Sequence, residues 1–161
     1  KNIRGNIDSR ISKLKKGEYD GIILALAGIK MLNFENEIKE IFSEEKIIPA
    51  AGQGVIAAQC RKDDLENLKI LEKINDENTK ICALTERSLL KTIGGDCHTA
   101  VGVYAKIDKD NIIISSQLFS DDGLKSFSIK KSGDKKFPEQ LGILAGKDLL
   151  NQSQGNYKKK R

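Results

Sequence analysis

Three strand-like runs near the middle of the chain constrain the fold more than anything else in it. Val101 to Ile107, Asn111 to Phe119 and Leu124 to Lys130 are rich in β-branched and aromatic residues, and only Asp108-Lys109-Asp110 and Asp121-Asp122-Gly123 separate them. Connectors this short cannot cross a sheet face, so the three runs must be antiparallel neighbours. The segment before them, Thr79 to Ile93, places Ile81, Leu84, Leu89, Leu90 and Ile93 at helical spacing. The segment after them, about Phe137 to Leu150, does the same with Leu141, Leu144, Ala145 and Leu149. A three-stranded sheet has an apolar face to bury, and two amphipathic helices on that face bury it, so a small α+β domain of roughly eighty residues is expected here.

Between the first helix and the first strand stands Gly94-Gly95-Asp96-Cys97-His98. Two glycines allow a sharp reversal and hold the Cys97 thiol clear of both elements. From these residues alone two readings stay open: a reactive or modified cysteine, or a helix cap followed by a small buried thiol. Cys60 and Cys82 fall in helix-like segments and are read as inert. Three widely spaced cysteines, no CxxC pair and one histidine do not describe a zinc site or a disulfide framework, and no metal is expected.

Upstream, Ile7, Ile11 and Leu14 mark a short helix over about Asn6 to Lys16, capped by Asn6 and ended by Gly17. Tyr19 to Leu26 is nearly unbroken apolar sequence and reads as a strand buried on both faces, as in a parallel α/β sheet, followed by a short helix at Ala27 to Leu32. Glu35 to Phe42 reads as a further helical turn or two, and Lys46 to Ile48 as a short strand. The loop Gly52-Gln53-Gly54 is expected to open a helix from Val55 to Cys60, with another helix within Arg61 to Ile74. Arg4 and Arg10 flank the first helix; on the residues alone such arginines are surface charges.

With 39% hydrophobic and 32% charged residues in 161, no long apolar run and no signal pattern, the chain reads as a soluble cytoplasmic protein with no membrane partner. Lys158, Lys159, Lys160 and Arg161 supply four of its net charge of +5, so no general basic surface for nucleic acid is expected. The opening at Lys1 reads as though an upstream portion were missing.

Three blocks, in order, resemble the porphobilinogen deaminase (hydroxymethylbilane synthase) family. They are Arg4-Gly5-Asn6 with Arg10, Gly17-Glu18-Tyr19-Asp20, Ile22-Ile23-Leu24-Ala25 and Ala27-Gly28; then Pro49-Ala50 with Gly52-Gln53-Gly54; then Glu86-Arg87 with the turn at Cys97 and Gly102. The resemblance implies a transferase that condenses four porphobilinogen molecules into linear hydroxymethylbilane, releasing ammonia, in tetrapyrrole and heme biosynthesis. It implies a dipyrromethane cofactor attached covalently through a thioether to Cys97. It also implies that Arg4, Arg10, Ala25, Gly28 and Gln53 bind the cofactor and growing pyrrole chain, whose acetate and propionate arms call for cations and backbone donors.

The same resemblance divides the chain into 1–54, the later half of a periplasmic-binding-protein-like second domain; 55–73, a segment returning to the first domain; and 74–161, a third domain carrying the cysteine. The catalytic aspartate of the family is expected in an N-terminal portion that this chain lacks, so no catalytic residue is assigned and the chain alone is expected to be inactive. Its expected partners are porphobilinogen, the oligopyrrole intermediates and the N-terminal part of the same enzyme, the full-length protein being a monomer. The alternative is a fragment or split-protein half that binds anionic pyrroles. Met31, Asp96 and Ala100 depart from the family pattern, and His98 is read as a solvent-facing turn residue.

Overall fold

The structure, a computed structural model, describes residues 2–95 and 99–157. It divides into two compact units, Lys1–Phe42 and Ser43–Arg161.

In the first unit, helix α1 (Ile7–Lys15) turns Ile11 inward and helix α2 (Leu26–Met31) turns Ile29 inward. Asn6 stands at the N-cap of α1 without a side-chain capping bond. Gly17, at φ 76°, closes the other end: its N–H donates to the Leu14 carbonyl and the Glu18 N–H to that of Lys13, a Schellman motif. The expected buried strand at Tyr19 to Leu26 is not formed. Residues 21–25 take no regular structure, no strand among the described residues lies alongside to receive ladder bonds, and Ile23 is 72% exposed. Beyond α2 a single 3-10 turn at Glu35–Glu37 takes the place of the longer helix expected there.

In the second unit the fold follows the pattern read from the runs. Helix α3 (Leu65–Glu72) is capped by Asp64, whose carboxylate accepts the Asn67 N–H. Helix α4 (Glu77–Ile93) is capped by Asp76 through the Thr79 N–H at 2.7 Å. Strands β1 (Val101–Asp108), β2 (Asn111–Phe119) and β3 (Ser126–Asp134) form an antiparallel sheet in the order β1-β2-β3. Helix α5 (Pro138–Ser153) follows, with Pro138 at its first turn. Both α4 and α5 pack on the sheet and on each other.

Register puts Val103 and Ala105 of β1 beside Ile112, Ile114, Ser116 and Leu118 of β2, and these close on Leu89, Ile93, Leu141, Ala145 and Leu149 from the helices. Leu89, Ile112, Ile114, Leu118 and Leu149 are fully excluded from solvent, each contributing about 1.5–3 kcal/mol. The third strand begins later and runs further than expected. Ser120 closes the preceding turn, its N–H donating to the Lys125 carbonyl while its hydroxyl accepts the Lys125 N–H, and β3 then pairs along the length of β2 to Asp134.

The buried stripe of α5 also differs from the expected one. Leu144 is half exposed, while Gly142 and Gly146 are buried between Leu141, Ala145 and Leu149. A Cβ on Gly142 would strike the Thr85 carbonyl, and one on Gly146 would lie 2.7 Å from the Thr92 Cβ. The two helices cross at a distance that only a missing side chain allows.

Neither the strand expected at Lys46 to Ile48 nor the helix expected at Val55 to Cys60 is formed. Gly52 and Gly54 take φ of 71° and 83°, which turns the chain out of either regular path, and the β-branched Val55-Ile56 entry does not favour a helix.

Candidate functional site

The residues singled out from the sequence fall into three groups. In the first unit, Arg10 and Ala25 line one hollow of about 470 Å³ together with Gly5, Asn6, Ile7, Ile23, Leu24 and Leu32. The Arg10 Nε donates to the Gly5 carbonyl at 2.7 Å, which orients the guanidinium beside the hollow. Ala25 stands at the N-cap of α2, its carbonyl accepting from the N–H groups of Gly28 and Ile29. Gly28 lies one turn further along, packed so closely on Ile7 that a Cβ would strike that side chain. Arg4 is exposed, and its carbonyl is held by the Lys13 ammonium at 3.2 Å. A guanidinium beside such a hollow can pair with a carboxylate.

In the second unit, Gln53 is exposed at the tip of a tight turn whose Gln53 N–H donates to Ala50 and whose Val55 N–H donates to Gly52. Cys97, with Asp96 and His98, lies outside the described residues, as do Lys158–Arg161. What is described is the approach to Cys97. Helix α4 ends at Gly94, φ 61°, whose N–H donates to Lys91 while that of Gly95 donates to Leu90. The expected glycine-dependent break after this helix is therefore present as a Schellman cap.

The sequence reading gave Glu86 no role of its own, yet among the described residues it is the charged side chain that lies buried with the core. It sits on the inner face of α4 beside Thr85 and Leu89 at 6% exposure. One oxygen accepts the Gly52 N–H at 2.7 Å and the other the Ala105 N–H at 2.8 Å. Burial raises its proton affinity above the ordinary 4.5, and the two N–H donors pull in the opposite direction. The signal available in the sequence was an acid four residues after Cys82 and three before Leu89, on the stripe that faces the core. Burial also pushes the Cys82 thiol up, with the charge of Glu86 adding to the effect. Such a shift favours the protonated, less nucleophilic form.

The hollow by Arg10 and the turn by Glu86 acquire a shared context from similarity. Residues 1–69 match the family model described as porphobilinogen deaminase, dipyromethane cofactor binding domain. Residues 80–151 match the one described as porphobilinogen deaminase, C-terminal domain. Arg4, Arg10, Ala25, Gly28 and Gln53 fall in the first match and Cys97 in the second. The chain is 39% identical over 155 residues to the porphobilinogen deaminase of Brevibacillus brevis, covering 96% of this chain and 50% of the relative. It is 41% identical over 142 residues to that of Prochlorococcus marinus, covering 88% and 45%, and 36% identical over 152 residues to that of Coxiella burnetii, covering 94% and 50%. It thus spans about half the length of the curated relatives it matches. With successive stretches matched to two domains of one enzyme, and relatives of that name aligned along most of its length, the chain belongs to the porphobilinogen deaminase family.

Proposed function

We propose that this chain works as part of a hydroxymethylbilane synthase, joining four porphobilinogen molecules head to tail with loss of ammonia at each step. The observation that carries the reading is the pair of consecutive family matches, the first of them to a cofactor-binding domain. In this reading Cys97 is the anchor, because a soft sulfur nucleophile forms a thioether with an electrophilic methylene carbon and the bond resists hydrolysis. When bound, dipyrromethane supplies the fixed primer from which the pyrrole chain grows. Arg4 and Arg10 hold acetate and propionate carboxylates, the backbone at Ala25 and Gly28 borders the same groups, and Gln53 offers its side-chain amide.

Residues 1–54 then belong to the later half of a periplasmic-binding-protein-like domain, 55–73 to a segment that returns to another domain, and 74–161 to the domain bearing the anchor. Because the chain spans about half the length of its relatives, the 161-residue polypeptide is proposed to be inactive alone and to act with the complementary half of the enzyme. Purified chain incubated with porphobilinogen should form no bilane; sustained bilane or uroporphyrinogen formation would overturn that part. Protein produced together with the complementary half should carry an adduct of two pyrrole units, absent from Cys97→Ser. An unmodified Cys97 thiol in that preparation would count against the whole reading.

A further inference from the structure

Residues 48–52 run against the outer edge of β1 and are tied there at three places. The Val103 N–H donates to the Pro49 carbonyl at 2.8 Å. Gly102 lets the Ile48 carbonyl come so near that a Cβ would lie 2.6 Å from its oxygen. The Gly52 N–H reaches Glu86, whose other oxygen takes the Ala105 N–H of the same strand. One carboxyl group therefore joins a turn, a strand and a helix. The strand edge that would otherwise present unpaired amides is covered as a result.

Resting on the functional reading above, we propose that Glu86 is a positioning residue that fixes the Ala50–Gly54 turn, and with it Gln53, to the helix that leads to Cys97. Glu86 lies eight residues before Gly94, about 12 Å along the axis of α4. The helix is hydrogen-bonded throughout and closed by a Schellman cap. It therefore sets a constant spacing between the turn that presents Gln53 and the Gly94-Gly95 cap that closes α4. A growing chain of pyrroles needs such a constant reference, since each added unit displaces the previous one while the anchor stays put. Gln53 itself touches none of the three ties; its position is inherited from the Gly52 amide next to it.

Glu86→Gln tests this, since it keeps the shape but turns an NH2 group toward one of two N–H donors. In the 161-residue chain, hydrogen exchange should quicken roughly tenfold at Gly52 or Ala105, while Ile112 and Ile114 in the sheet keep their protection. In enzyme assembled with the complementary half, the variant should raise KM for porphobilinogen with kcat and the Cys97 adduct retained. That effect should disappear in a Gln53→Ala background. Glu86→Asp, with both acceptors but a shorter reach, should recover part of the loss. Unchanged exchange at both amides, uniform quickening of all amides, or additive KM effects of the two substitutions would overturn the proposal. A wild-type assembly that carries no pyrrole adduct and consumes no porphobilinogen would instead refute the functional reading, with the exchange data still deciding whether the clasp exists.

Discussion

Glu86 makes a pH argument possible at the scale of one residue. Burial raises its folded proton affinity above the unfolded value of 4.5, so the folded state holds its proton more tightly than the unfolded state does. Its contribution to stability is fully present below 4.5 and is lost as pH rises through the folded value. The wild-type denaturation midpoint should therefore fall across that window more steeply than the midpoint of Glu86→Gln. Equal slopes for the two proteins would show that the carboxyl group is not the titrating element. Glu86 was legible as an acid on a core-facing stripe, but its partners were not, because Gly52 and Ala105 approach it from 34 and 19 residues away in the chain. Arg10 shows the same limit from the other side. Its sequence block drew attention to it, whereas the hollow it shares with Ala25 is also lined by Ile23, Leu24 and Leu32, which lie 13 to 22 residues further along the chain.

At the scale of elements, the crossing of α4 and α5 rests on absent side chains. Gly142→Ala should destabilise the second unit by about 1–3 kcal/mol despite the better helix propensity of alanine, because the obstacle is the Thr85 backbone carbonyl, which cannot rotate aside as a flexible side chain can. A denaturant titration that finds the variant equal to wild type would remove the crossing from the account. This crossing was invisible in the sequence, where hydrophobic periodicity favoured Leu144 over two glycines that contribute no apolar side chain. The meander, by contrast, was legible in strand number, order and antiparallel sense, since two short Asp-rich connectors permit a single arrangement, although its third strand runs to Asp134 rather than Lys130. The strand expected at Tyr19 to Leu26 failed for a related reason. Its composition suits a buried strand, yet a strand is defined by neighbours that composition does not supply.

Over the whole molecule, the two units differ in how much they bury. Among the described residues, Ile11 and Ile29 are the buried hydrophobic side chains of the first unit, while the second closes a continuous core from two helices and three strands. Amides of α1 and α2 should exchange faster than those of α4 and β2 under native conditions, by at least tenfold; similar protection in both units would contradict this. Large apolar residues also lie open between α2 and α4: Ile56 is 97% exposed, Ile74 71% and Leu65 69%. No helix among the described residues is long and apolar enough to cross a membrane.

The buried Tyr157 hydroxyl donates to the carbonyl of Ile93, the last residue of α4, at 3.0 Å. The chain contains no tryptophan and three tyrosines, so this phenol places an intrinsic chromophore at the end of the helix that leads to Cys97. Its ultraviolet emission offers an optical readout of events at the Gly94-Gly95 turn without any introduced label. Substituting Tyr19 and Tyr104 by phenylalanine would leave that signal as the sole tyrosine emission of the chain.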